Sequence, residues 1–258
     1  MNDPHVVKIT YQLKTVLDDV FQDTDSFKFE NDSFKLYFEE QKLIVEMIDH
    51  YDNVAAARKT IDIFLRSWEI NDALIVGRRE FWFEFDYAEL IDRNPAPPGS
   101  PNILKMTASS INVFVEGEQI VKSRKNLPQP PVIFQASPDV ESLWHRYQGY
   151  LIEREPLLSM AYFCLTLVEN IMGGRKNASK NFKISQSVFN NIGRLTSNRG
   201  TEKNARKIHK ESTKTLLNSV EVIWIEKAVK LMIQRVGEMK SICSLSMITM
   251  DDLPPLGE

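Results

Sequence analysis

Between residues 126 and 132 the chain reads NLPQPPV, and this run limits the fold more than any other. Proline fixes φ and offers no amide hydrogen, so Pro128, Pro130 and Pro131 bar the segment from a sheet ladder and from a helix interior. On the N-terminal side apolar residues recur with period two, and on the C-terminal side they recur at three-four spacing. This change of period divides the chain into an α+β domain over 1–126, a proline-rich linker over 127–136 and a helical domain over 137–258. A length of 258 residues accommodates two domains of ordinary size.

In the first half, SFKLYF (33–38) and KLIVEMI (42–48) alternate apolar and polar positions, as half-buried strands do, and predict a hairpin turning at Glu39 to Gln41. Asn53 is placed to cap a helix with the apolar stripe Val54, Ala57, Ile61, Phe64, Leu65 and Trp68. EFWFEFDY (80–87) predicts a central strand with Phe81, Phe83, Phe85 and Tyr87 on one side. NPAPPGSP (94–101) reads as a surface loop. Strand patterns resume at 103–115 and 119–123, joined by a turn at Gly117. Residues 6–21 fit a strand (Val7, Ile9, Tyr11, Leu13) and a helix equally well. The fold class expected is α+β: an N-terminal mixed β-sheet domain with one main helix, then a C-terminal all-helical domain.

The helical half opens with Ser137 as N-cap, Pro138 at the first helical position, and Val140, Leu143, Trp144, Tyr147 and Leu151 on one face. Pro156 starts an apolar helix that Gly173-Gly174 ends. Its run LLSMAYFCLTLV is too short to cross a bilayer of about 30 Å, so no membrane contact is expected. A last helix over about 219–239 keeps its polar residues within an arc of about 120°. Ile223, Trp224 and Leu231 lie outside a single packing stripe, which predicts either a central helix or the interface of a homodimer.

Charge is unevenly placed. The overall value is −3, yet Gly173 to Thr215 holds eleven Lys and Arg against two Glu, a local net of +9, so the remainder carries −12. Within this region KNASKNFKISQSVFNNIGR (176–194) reads as two short helices around a turn. Ala178 is the small residue that allows close helix packing, Phe182 and Ile184 flank the turn, Ser185 caps the second helix, and Val188 and Ile192 pack it. The pattern resembles the A-x-x-L-G-I-S style of helix-turn-helix, with Lys183 where the turn usually has Gly. That resemblance leaves Gln186, Asn190 and Arg194 free to meet bases or phosphates. The basic face comprises Arg175, Lys176, Lys180, Lys183, Arg194, Arg199, Arg206 and Lys207, and its expected partner is DNA or RNA. The bland alternative is a helical hairpin with a solvated basic face.

Catalytic and metal chemistry find little support. No Gly-rich phosphate loop, Gly-x-Ser-x-Gly elbow or His-Glu-x-x-His pair is present. His145 falls opposite the apolar stripe of its helix. His5 and His50 lack Cys or His at ligand spacing, and DHYD (49–52) reads as a solvated turn rather than a metal site. Cys164 and Cys243 form no Cys-x-x-Cys pair, so neither a disulfide framework nor a metal or other cofactor is expected. MNDPHVVKITYQ has no basic region followed by an apolar run, so no secretory signal is expected and the localisation expected is cytoplasmic.

His209, in NRGTEKNARKIHKES, carries the enzymatic alternative. The half is similar in size, helicity and basicity to the HEPN group of helical nucleases, which place Arg and His at Arg-x4-6-His spacing for RNA cleavage. Here Arg206 precedes His209 by three residues and Arg199 by ten, a departure from that spacing. The reading of the sequence is thus a non-catalytic, nucleic-acid-associated regulatory or accessory protein. The alternatives are a HEPN-like ribonuclease using His209 with Arg199 or Arg206, and an interaction module whose basic face meets an acidic protein partner.

Overall fold

A computed structural model describes residues 3–16, 21, 27–94, 126–199 and 216–256, and the backbone of 103–107. The chain divides into two compact units, Met1–Pro130 and Pro131–Glu258. Among the described residues, the first comprises a six-stranded sheet and one helix. Strands β1 (Pro4–Thr15), β2 (Lys28–Glu30), β3 (Phe34–Glu39), β4 (Lys42–Met47), β5 (Phe81–Asp92) and β6 (Ile103–Thr107) lie in the order β2-β3-β4-β1-β5-β6. Helix α1 (Val54–Val76) joins β4 to β5. The α+β class is as the sequence implies, and among the described residues every strand pairing within this sheet is antiparallel.

Local chemistry accounts for the elements. Glu40 and Gln41 both take positive φ, the requirement of the tight two-residue turn whose twist matches a hairpin, and Glu39 pairs with Lys42 across it. Asn53 caps α1 by accepting the Ala56 amide at 2.8 Å. The opening segment resolves as strand β1, because only an extended backbone can bond to both β4 and β5.

Two bulges change which residues face inward. One inserts Val7 between the pairs Val6–Leu90 and Lys8–Glu89, so Val6, rather than Val7, is buried with Ile9 and Tyr11. The other inserts Asp86 on β5, so the inward set passes from Phe81, Phe83 and Phe85 to Ala88 and Leu90, leaving out Tyr87. Strand side chains have period two, and one extra residue reverses every face beyond it. Asp86 instead meets Lys42 at 2.9 Å.

Helix α1 lays Ala57, Ile61, Leu65 and Trp68 on that inward face. Trp68 stacks on Phe27 with centroids 5.0 Å apart and donates its indole N–H to the Pro128 carbonyl at 3.1 Å. Glu69 is buried and fully engaged, accepting the Phe83 amide, Arg66 and Arg79 at 2.9 to 3.0 Å. The proline run is anchored at both ends: Leu127 joins the sheet core, and in the other unit Phe134 is buried while Gln135 bonds the Gly237 carbonyl.

The second unit contains α2 (Pro138–Leu151), α3 (Leu157–Ile171), α4 (Arg175–Phe182), α5 (Gln186–Asn198) and α6 (Ser219–Gly237). Ser137 accepts the Val140 amide, and Val140, Leu143, Trp144 and Tyr147 are buried. Helix α6 packs against α2, α3 and α5. Trp224 is therefore fully buried and not outward as the sequence left open, and Leu231 is half-buried. Val220 and Ile223 keep α6's apolar exposure. Among the described residues no single helix is long and apolar enough to cross a membrane.

Candidate functional site

The site is built where α3 gives way to α4. Gly173 and Gly174 take φ of 69° and 124°, and the Gly174 amide reaches the Glu169 carbonyl at 2.7 Å. The chain turns by 85° between the two helices. This turn brings Arg175 back alongside α3, where its Nε donates to Glu169 Oε1 at 2.6 Å.

Helices α4 and α5 form the hairpin that the sequence suggests. Ala178, Phe182 and Ile184 are buried, as are Val188, Phe189, Ile192, Leu195 and Thr196 of α5. Lys183 adopts the left-handed conformation, φ 53° and ψ 45°, at the position where glycine would be unstrained. Ser185 occupies the N-cap position, but its hydroxyl meets Ser187 Oγ at 2.8 Å rather than a helix amide. The C-terminal segment closes the turn instead. Ile248 donates its amide to the Lys183 carbonyl at 2.7 Å and accepts the Ser185 amide at 2.8 Å. These two bonds satisfy backbone groups that the tight turn would otherwise leave without partners.

With one face of α5 buried, Gln186, Asn190, Arg194 and Asn198 form an exposed row at four-residue steps. Lys176 and Lys180 are exposed one turn apart on α4, and Lys183 is half-buried at the turn. Between α3 and α5 lies an open groove of about 550 Å³. Tyr162, Thr166 and Glu169 line one wall; Asn190, Arg194 and Ser197 line the other. Arg175 closes the end, giving Nη1 to Asn190 Oδ1 at 3.0 Å. Gly193 permits this: a Cβ there would stand 3.3 Å from Arg175 Nη2. Arg175, Asn190 and Arg194, named from sequence, thus meet in one groove.

Sequence reasoning missed Tyr162, Thr166, Glu169, Gly193 and Ser197. The available signal was the set 162, 166 and 169 in a largely apolar helix, at the spacing of one helical face.

Arg199 stands apart from the row. Its Nε and Nη2 both donate to Glu221 Oε1, and the other oxygen of that buried carboxylate accepts the Asn218 amide in the capping box of α6. A guanidinium so held joins α5 to α6. Arg206, Lys207 and His209, and with them the Arg-x-His spacing, lie outside the described residues, as do Gly117 and most of the NPAPPGSP loop.

Several other titratable groups are structurally engaged, whereas His145 is exposed. His5 and His50 stack with centroids 5.1 Å apart, and His50 Nε2 lies 3.7 Å from Asp3 Oδ1. Burial, with Arg93 and His50 nearby, pushes the His5 pKa down. Tyr150 donates to Glu226, and burial, together with that carboxylate, pushes the Tyr147 and Tyr150 hydroxyls up. Burial likewise raises the Cys164 thiol. Among the described residues no group of three or more His, Cys, Asp or Glu side chains is placed to hold a metal ion.

Fold and groove together define an α+β protein whose helical unit presents a cationic hairpin. Comparisons with protein-family models, curated proteins and solved structures gave no match.

Proposed function

We propose that the chain is a non-catalytic nucleic-acid-associated protein that contacts DNA or RNA through the α4–α5 hairpin, in an accessory or regulatory role. The observation that carries this reading is the exposed row Gln186, Asn190, Arg194 and Asn198, set on a hairpin with no acidic residue from Gly173 to Thr201. Amides and guanidinium groups are the side chains that hydrogen-bond base edges and phosphates. Lys176 and Lys180 extend the cationic surface onto α4. Two free thiols, Cys164 and Cys243, suit a reducing, cytoplasmic compartment.

The test is binding of the purified chain to fluorescent DNA and RNA oligonucleotides across a salt series. Phosphate contacts require log affinity to fall linearly with log salt. Absence of binding at low salt would reject the reading and leave the hairpin to a protein partner.

A further inference from the structure

We propose that the groove between α3 and α5 seats one nucleotide of a single strand, with the base against Tyr162 and its phosphodiester on Arg194. This rests on the nucleic-acid reading above and adds the form of nucleic acid. Three properties of the groove lead to it.

Its volume, about 550 Å³, lies within the range of small-ligand sites, and it opens between two helices instead of following a duplex surface. Its charge suits a singly charged ligand. Among the described lining residues Glu169 offsets Arg175 at 2.6 Å and Arg194 carries the remaining positive charge, which matches one phosphodiester. Its walls combine a half-buried aromatic ring, Tyr162, with hydroxyl and amide groups from Thr166, Ser197 and Asn190. Single strands are held by such pairing of aromatic faces with a cationic track, since every unstacked base has a π-face to offer. Duplex bases are already stacked, and entry would require flipping one out at a cost of a few kcal/mol.

Arg175 sets the shape of the site. Bonded to Glu169 and Asn190, and lying over the bare backbone of Gly193, it closes one end of the groove. Arg194 stands exposed on α5 at the same groove, where it can meet the phosphodiester of the nucleotide whose base enters.

The test compares a labelled single strand of about 12 nucleotides, an abasic strand of equal length and a duplex, at one low salt concentration. The abasic strand keeps every phosphate and removes every base. The single strand is expected to bind about five- to a hundredfold tighter than the other two, the range of one stacked base. Tyr162→Ala should bring it down to the abasic level, whereas Tyr162→Phe, which keeps the ring, should not. Because Tyr162 is half-buried, Thr166→Leu provides an independent probe, filling the groove with a good helix former and producing the same loss. Equal affinity for all three ligands, with a salt dependence, would overturn the groove assignment and leave the hairpin reading standing. Binding to none of them would remove both.

Discussion

Arg199 donates to one oxygen of Glu221 from Nε at 2.9 Å and from Nη2 at 2.7 Å, joining the end of α5 to the start of α6. The carboxylate is buried, and without its guanidinium it would keep, among the described residues, the Asn218 amide alone. Hydrogen bonds to charged groups contribute about 1.5–3 kcal/mol, and an orphaned buried charge sits at the upper end. Arg199→Ala is therefore expected to lower unfolding free energy by about 2–3 kcal/mol in denaturant titration, with nucleic-acid affinity unchanged once folding is complete. A loss of affinity at unchanged stability would instead give Arg199 a role as phosphate clamp.

Gly237 lies under the ring of Phe134. A Cβ at that position would fall 2.2 Å from Phe134 Cε2, and the Gln135–Gly237 backbone bond holds the segment in place. Gly237→Ala should destabilise the helical unit by about 1–3 kcal/mol, the usual effect of overpacking, despite alanine's better helix propensity. Near-ultraviolet circular dichroism and the denaturation midpoint report it.

Lys183 offers the opposite sign. Its left-handed backbone is strained with a side chain and relaxed without one, so Lys183→Gly is expected to stabilise by about 0.5–1 kcal/mol. A lower midpoint in denaturant would mean that the Lys183 side chain contributes more than its backbone costs.

His5 makes stability depend on pH. Burial holds its folded pKa below the unfolded value of 6.5, with Arg93 and His50 acting the same way and Asp3 opposing. The unfolded chain then binds the proton first. Stability is complete above pH 6.5 and declines as pH falls from there toward the lower folded pKa, by up to about 1.4 kcal/mol per pH unit. His5→Phe, which keeps a ring against His50, should flatten that part of the profile measured by denaturation between neutral and mildly acidic pH.

Charge reversal at Lys176, Lys180 and Arg194 tests the hairpin. All three are exposed, so stability should shift by no more than about 0.5 kcal/mol for each. The slope of log affinity against log salt should fall by about one for each phosphate contact removed. A weaker affinity with an unchanged slope would place the phosphates elsewhere.

Much of the framework was legible because its causes are local. The α+β class follows from hydrophobic period, the β3–β4 turn from its position between two alternating runs, and the caps at Asn53 and Ser137 from side chains that reach amides three residues on. The left-handed Lys183 could be anticipated from a turn position that usually holds glycine. Tertiary structure alone decided the rest. Val7 and Asp86 look like any strand residues, yet as bulges they reassign the faces of β1 and β5, because their effect depends on the register of a partner strand. Arg199 reads as one more cation until Glu221, 22 residues away, takes it. The groove joins residues from α3, α4 and α5, and the turn at Lys183 is closed by Ile248, which has no local connection to it. Backbone preference and periodicity are properties of neighbours in sequence, whereas pairing of a charge, a bulge or a groove wall depends on which distant groups packing brings within a few ångströms.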